Sequence, residues 1–325
     1  KSQRLAWFFL AKGLPHHACT NRPTPMKHFR YFRYMDAVVR AGSIRRAAEQ
    51  LYITPSALDR RIHDLEKDLG TPLFERHARG MRLLAAGEIF LGYVRRHLAD
   101  LDRMQSEIES LKGLKRGHVE IVASQAVAVS FLSQQVRTFQ QNHPGVTFNV
   151  RITDRGEAMR ALTAFEADLA LVISPLRTAE LLPLIVVAQP VMAMMDIDHP
   201  LAAAQSLRFG DCLSYPLVLP RATLATRALI DAVLNARSVP ATIAVETDSF
   251  EMMRGLIAHT ANIGFQVAIG TPDAQTDPRV VARPIDERDI SAAPMVCAQL
   301  KGRSLSVAAA RFANQVVGAL DAMKQ

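Results

Sequence analysis

Cysteine is scarce in this chain of 325 residues: Cys19, Cys212 and Cys297 stand far apart, and no Cys-x-x-Cys pair occurs. That usage excludes a disulfide framework and a zinc finger and suits a reducing compartment, so a cytoplasmic location is expected. Long apolar runs are also absent; nothing reaches the roughly 18 residues that a membrane span requires, and no membrane partner is expected. Common catalytic signatures are missing, with no Gly-x-Ser-x-Gly, no phosphate-loop lysine and no Gly-x-Gly-x-x-Gly. His118-Val119-Glu120 has the His-x-Glu of a zinc deaminase, but no Pro-Cys-x-x-Cys follows and the segment has strand character. His16-His17-x-Cys19 offers ligand-type side chains without a second convergent cluster. The expectation is therefore no enzyme, no cofactor and no metal.

What is present is a charge asymmetry. Residues 1–117 carry 22 Lys+Arg against 12 Asp+Glu, whereas 118–325 carry 17 against 19. A basic head on a near-neutral body is the footprint of a nucleic-acid module joined to something else. A chain of this length folds as two or three compact units. Residues 1–25 pair a charged start with an apolar run too short for a secretory leader and broken by Lys12. They are expected to be a disordered or non-native arm, with Met26 opening the first domain.

Residues 32–83 hold the strongest pattern. Phe32, Met35, Val38 and Val39 repeat at helical spacing until Ala41-Gly42. Ser43 has N-cap chemistry for a short helix with an inner face of Ile44, Ala47, Ala48 and Leu51, where the alanines permit close helix approach. After the turn Tyr52-Ile53, Thr54 caps a third helix with Pro55 in its first turn. That helix is expected to bury Ala57, Leu58, Ile62, Leu65 and Leu69 and to leave Ser56, Asp59, Arg60, Arg61, His63 and Asp64 facing outward or flanking the core, until Gly70 stops it. Two short helices joined by a tight turn, the second with a polar, arginine-bearing N-terminal half, are the geometry that enters a major groove. Residues 71–83 read as a two-stranded wing anchored by Leu73, Phe74 and Leu83, from which Arg76, Arg79 and Arg82 reach the DNA backbone or minor groove. The expected DNA-binding set is Ser43, Thr54, Pro55, Ser56, Asp59, Arg60, Arg61, Arg76, Arg79 and Arg82.

Through Ala41-Gly42-Ser43, Ala47-Ala48-Glu49-Gln50-Leu51, Thr54-Pro55-Ser56-Ala57-Leu58, Leu65-Glu66, Leu69-Gly70, Leu73-Phe74-Glu75-Arg76 and Ala86-Gly87, this region resembles the winged helix-turn-helix of LysR-type transcriptional regulators. Two positions depart from the family pattern. Asp59 stands where a serine is usual; it accepts from a cytosine amino group or holds Arg60 or Arg61 in place. Ala85 stands where a capping threonine is usual, which implies a weaker or shifted start to the next helix.

From about Ala86, the residues Phe90, Val94, Leu98, Leu101, Met104, Ile108 and Leu111 form a stripe on one long helix with charged flanks. A second copy is the economical cover for such a stripe, so a homodimer is expected. The resemblance further implies a homotetramer, with double-stranded DNA, a small-molecule effector and RNA polymerase as candidate partners. Beyond Gly113 and Gly117, strand and helix alternate: strands at 118–123, 146–152, 169–173, 191–195, 217–219, 242–246 and 263–268, and helices at 131–140 (starting near Ser130), 157–165, 225–236, 250–259 and 306–323. The alternation predicts mostly parallel sheets covered on both faces.

Gly117-His118-Val119-Glu120-Ile121, Pro144-Gly145-Val146, Ala167-Asp168-Leu169-Ala170 and His199-Pro200-Leu201-Ala202 are similar to the effector domain of the same family, which implies a two-lobed, periplasmic-binding-protein-like fold. The fold class expected overall is thus α/β with an N-terminal all-α winged helix-turn-helix. Its parts are a DNA-binding domain at 26–85, a linker/dimerisation helix at 86–112, a hinge at 113–117, one lobe at 118–187 with 291–325, and the other at 188–290. In the sequence Thr260-Ala261-Asn262-Ile263-Gly264, Asn262 is expected to take the left-handed turn position that the family gives to glycine. Strand ends suited to an effector carry Ser124, Gln125, Ser174, Arg221, Thr223 and Thr247; Arg221 suits bidentate pairing, so a small organic anion is expected. The resulting function is a sequence-specific transcriptional regulator, activator or repressor, controlled by that effector.

Overall fold

A computed structural model describes residues 27–77, 80–110, 116–175, 178–236, 241–272 and 277–324. The expected N-terminal arm, Arg79, Leu111 and residues 113–115 of the expected hinge lie outside them. The described residues divide into two compact units, the first ending at Glu88 and the second beginning at Ile89.

In the first unit, α1 (Lys27–Ala41), α2 (Ile44–Leu51) and α3 (Pro55–Leu69) surround Met35, Val38, Ala47, Ala48, Leu58 and Ile62, all buried. Ala47 and Ala48 are fully enclosed, as close packing of short helices requires. Ser43 occupies the N-cap position of α2 but makes no side-chain cap bond. Thr54 does cap α3, its hydroxyl accepting from Ala57 N–H at 3.3 Å. The buried stripe of α3 is narrower than expected: Leu65 is half-buried, while Ala57 and Leu69 are exposed. At 100° per residue, Ala57 lies about 100° around the helix from Leu58, beyond the sector that α1 and α2 cover. Tyr52, the left-handed residue that ends α2 (φ 55°), is 96% exposed.

Strands β1 (Phe74–His77) and β2 (Gly80–Leu83) pair antiparallel with Phe74 opposite Leu83. Helix α4 (Ala85–Ser110) starts at Ala85 without a capping side chain. Its start is set by packing instead. Leu84 N–H donates to Leu73 C=O at 2.9 Å, and Gly87 lies so close that a Cβ would fall 2.2 Å from the same Leu73 oxygen. Along α4, Val94 and Leu101 are buried within the single chain and Phe90 and Leu98 are half-buried. Met104 and Ile108 are exposed, and with Ile89 and Tyr93 they define an uncovered row offset from the expected stripe.

The second unit builds two five-stranded sheets. The first is ordered β4-β3-β5-β12-β6, from β3 (Gly117–Ala123), β4 (Val146–Ile152), β5 (Leu169–Ile173), β6 (Leu181–Gln189) and β12 (Ala293–Leu300). The second is ordered β11-β7-β10-β8-β9, from β7 (Val191–Asp196), β8 (Leu217–Pro220), β9 (Ile243–Thr247), β10 (Ile263–Val267) and β11 (Val280–Pro284). Neither sheet is mostly parallel: β12 runs antiparallel to both β5 and β6, and β7 antiparallel to both β10 and β11. These are the strands on either side of the two crossings between sheets, at 189–191 and 284–293, where the chain arrives without a βαβ return. Alternation then sorts the first sheet's residues. Ile121, Leu169, Leu171 and Ile173 face α11 (Val307–Ala322) and the run formed by α5 (Gln125–Val127), a π-helical turn (Ala128–Leu132) and α6 (Ser133–Asn142). Val122, Ala170 and Val172 face α7 (Arg155–Thr163). The helix expected from Ser130 thus begins five residues earlier, because Ala126 and Val127 are themselves core residues. The second sheet packs against α8 (Phe209–Cys212) and α9 (Ala225–Ala236) on one face and α10 (Phe250–Ile257) on the other.

Asn262 is not left-handed; His259 is (φ 61°). Asn262 instead uses its amide, Nδ2–H donating to Leu256 C=O at 2.8 Å, so the turn is held by a side-chain bond.

Two glycines of α4 give opposite predictions. Gly→Ala within a helix normally stabilises by up to about 1 kcal/mol. Gly92, which has nothing within 4 Å of the place a Cβ would occupy, follows that rule. Gly87→Ala meets an immovable backbone oxygen and is expected to cost about 1–3 kcal/mol. Thermal unfolding of the two variants should therefore shift in opposite directions.

Candidate nucleic-acid interface and effector seam

Helix α3 organises the head through two faces. Asp59, Ile62 and Glu66 recur at three and four residues and line the side toward the wing. Glu66 Oε1 accepts from Leu73 N–H at 2.8 Å and Phe74 N–H at 3.1 Å, which satisfies both amides where the chain turns into β1. Asp59 Oδ1 accepts from Arg76 Nη2 at 2.6 Å, further out along the wing. Asp59 therefore holds neither Arg60 nor Arg61. Its hydrogen bond raises the Arg76 pKa further above the usual arginine range. The second face is exposed: Ser56, Arg60 and His63 lie on one outward row.

The remaining head residues divide by how far they are committed. Arg61 Nη1 donates to Tyr31 Oη at 3.1 Å, and its guanidinium lies over the Tyr31 ring, so it ties α3 to α1. Pro55 and Ser56 sit exposed in the first turn, with Ser56 Oγ 3.3 Å from Thr54 Oγ1. Ser43 is half-buried in the turn before α2. Arg82 is exposed on β2 opposite Glu75. Sequence reasoning missed Glu66 as a wing clamp; its signal was a carboxylate two helical turns after Asp59, just before the helix stop.

The six effector candidates fall into two groups. In the first, Ser124 Oγ accepts from Ile173 N–H at 3.2 Å, so Ser124, Gln125 and Ser174 meet at the ends of β3 and β5. Ser174 takes a left-handed backbone (φ 46°), and its N–H donates to Pro294 C=O at 2.7 Å. In the second, Arg221 N–H donates to Thr247 C=O at 2.9 Å, which joins the ends of β8 and β9. Arg221 and Thr223 are exposed, whereas Thr247 is buried with its hydroxyl accepting from Ser249 N–H. Gln125 reaches between the groups, Oε1 accepting from Phe250 N–H at 3.4 Å at the start of α10.

Around this contact lies a polar seam that the sequence did not announce. Ser130 Oγ donates to Ile269 C=O at 2.8 Å, and Ile269 N–H donates to Gln189 Oε1 at 2.9 Å. Gln189 and Gln266 are both buried, and Gln266 Oε1 has no hydrogen-bond partner among the described residues. A lone glutamine within the apolar run Ile263–Val267 was the available sign. Cys212 and Cys297 are buried, and burial pushes both thiols up to about 12, so neither is a thiolate at neutral pH. Among the described residues no cluster could hold a metal ion, and no helix is long and apolar enough to cross a membrane.

Two outcomes follow. Glu66→Ala should lower the stability of the head by about 1–3 kcal/mol, because two amides lose a charged acceptor. Glu66→Gln should recover part of that loss, as read by denaturant unfolding. In a Cys19→Ser background, native protein should not react with a thiol reagent at pH 7, and two thiols should appear on denaturation.

Comparison with known proteins bears on the family and the fold. Residues 29–88 match the bacterial regulatory helix-turn-helix protein, lysR family, and residues 112–321 match the LysR substrate binding domain. A RuBisCO operon transcriptional regulator of Allochromatium vinosum is 29% identical over 208 residues, covering 64% of this chain and 68% of that protein. A probable nitrogen assimilation transcriptional activator of Synechococcus elongatus is 26% identical over 253 residues, covering 77% and 82%. Among solved structures, a full-length OxyR variant from Pseudomonas aeruginosa superposes with a TM-score of 0.70 at 18% identity, covering 94% of this chain and 95% of that one. Full-length CbnR in complex with its target DNA gives 0.58 at 20%, covering 89% and 98%. The chain belongs to the LysR family of DNA-binding transcriptional regulators, with a helix-turn-helix head and a two-sheet substrate-binding domain.

Proposed function

We propose that the head reads a specific, partly two-fold symmetric DNA site and that a small organic anion, bound at the seam of the second unit, changes how it does so. The carrying observation is the first turn of α3. Thr54 caps it, and Ser56 and Arg60 stand exposed on a row that none of the described helices of the head covers. Pro55 has no N–H and those of Ala57 and Leu58 donate to Thr54, so Ser56 N–H is the amide of this turn left for a phosphate, and side chains on that row reach base edges in a major groove. The domain limits proposed are those read from the sequence, with the DNA-binding domain at 26–85 and the linker helix at 86–112.

A homodimer paired through α4 is part of the proposal. Ile89 (80% exposed), Tyr93, Met104 and Ile108 (55% exposed) fall within about a 100° sector of one helix, an arrangement that a second copy would bury. Pairing two such dimers as a tetramer, contact with RNA polymerase and a cytoplasmic location belong to the same reading. The effector site proposed uses Ser124, Gln125 and Ser174 on one sheet and Arg221, Thr223 and Thr247 on the other. Arg221 is the residue suited to a carboxylate, and Gln266, whose buried oxygen has no hydrogen-bond partner among the described residues, packs with Gly270 beside the Ala126 carbonyl, next to Gln125.

The test is recovery of genomic fragments bound by the purified protein at a stated salt concentration. A compact set of sites with partial symmetry beside one operon supports the reading; diffuse binding lost at modest salt sinks it. On a recovered site, Arg60→Ala should relax discrimination at one base position by roughly 1–3 kcal/mol. Met104→Asp with Ile108→Asp should shift the protein toward monomer in sedimentation equilibrium.

A further inference from the structure

The pair formed by Asp59 and Arg76 lies where this chain departs from its family in residue type. Both side chains are partly open to solvent, so burial does not force them together. The bond is nevertheless short, 2.6 Å, and spans from the reading helix to the wing. Glu66 lies close enough to favour the Arg76 charge, but its own acceptor oxygen is committed to the amides of Leu73 and Phe74. Asp59 is thus the carboxylate that Arg76 hydrogen-bonds, and Glu66 adds a weaker through-space attraction.

We propose that Asp59 is a positioning residue that withdraws Arg76 from the phosphate-contacting set, rather than a residue that reads cytosine. Arg76 in the pair braces the wing against α3, and its charge is cancelled where it would otherwise displace a counterion from DNA. Among the described residues of β1 and β2, Arg82, which is exposed, is then the arginine left for contact with the backbone. The inference rests on the DNA-binding reading above. Binding of wild-type protein to its recovered site is therefore established before any variant is compared.

The experiment measures the dependence of log K on log salt for wild type, Asp59→Ser, Arg76→Ala and the double variant, on the recovered site and on a panel with each base pair substituted. Thermal unfolding checks that all four fold; an exposed pair of this kind contributes little to stability. Release of one arginine to phosphate should steepen the slope of Asp59→Ser by about 0.9 relative to wild type. Its base preferences should be unchanged. The double variant should return to the wild-type slope, because the released cation is gone. If Asp59→Ser leaves the slope alone and loses preference at a C·G pair, Asp59 reads a base and the proposal is overturned. A steeper slope that persists in the double variant also overturns it, since the effect would then belong to the lost carboxylate alone. Failure of wild type to bind a specific site would instead remove the underlying reading.

Discussion

The reading head depends on the approach of the α3-to-wing turn to the helices around it, and one carboxylate makes that approach possible. A sharp turn out of a helix leaves amides without partners, and a buried amide without a partner costs as much as a lost hydrogen bond. Glu66 answers two of them at once, through Leu73 and Phe74. With that turn closed, the Leu73 carbonyl is free to accept from Leu84, and Gly87 can settle against the same oxygen. The wing and the start of α4 are consequences of this closure. So is the position of Arg76, which meets Asp59 on the same helix face.

The second unit works on a different principle. Its sheets are apolar on both sides, and alternation assigns successive residues of β3 and β5 to opposite cores. Where the sheets approach each other the material changes. Gln125, Ser130, Gln189 and Gln266 meet around the α10 start and the turn 268–270. Such groups are expensive to bury unless bonded, and a partly satisfied network is a natural place for a ligand or a second arrangement of the sheets. The family's two-part design therefore has a physical counterpart here: a head whose wing turn is held by Glu66 and a body whose joint is polar.

Much of this was legible from periodicity. The strands at Val146–Ile152 and Leu169–Ile173 and the helix at Ala225–Ala236 stand where the pattern placed them, since each is long enough and uninterrupted. Three strands were not legible. β6 contains Pro183, β12 contains Pro294 and a register shift after Cys297, and β11 ends in Pro284. Proline argues against a strand in sequence, yet at an edge or a strand end it costs little. The same omission produced the expectation of mostly parallel sheets, because the unread strands are largely the antiparallel ones.

Local chemistry and spacing were enough to specify the class of the protein: the basic head, the capped helices with their alanine contact, the long apolar helix and the α/β body can all be read along the chain. Which polar groups meet was a matter for packing. Asp59 pairs with a residue 17 positions away, Arg61 with one 30 positions back, and Gln125 with an amide 125 positions on. The Asn262 turn and the start of α4 were likewise settled by neighbours rather than by the residues' own preferences. The reason is range. Periodicity and capping act within a helical turn or two, whereas a hydrogen bond between distant residues exists only after packing has brought them within about 3 Å.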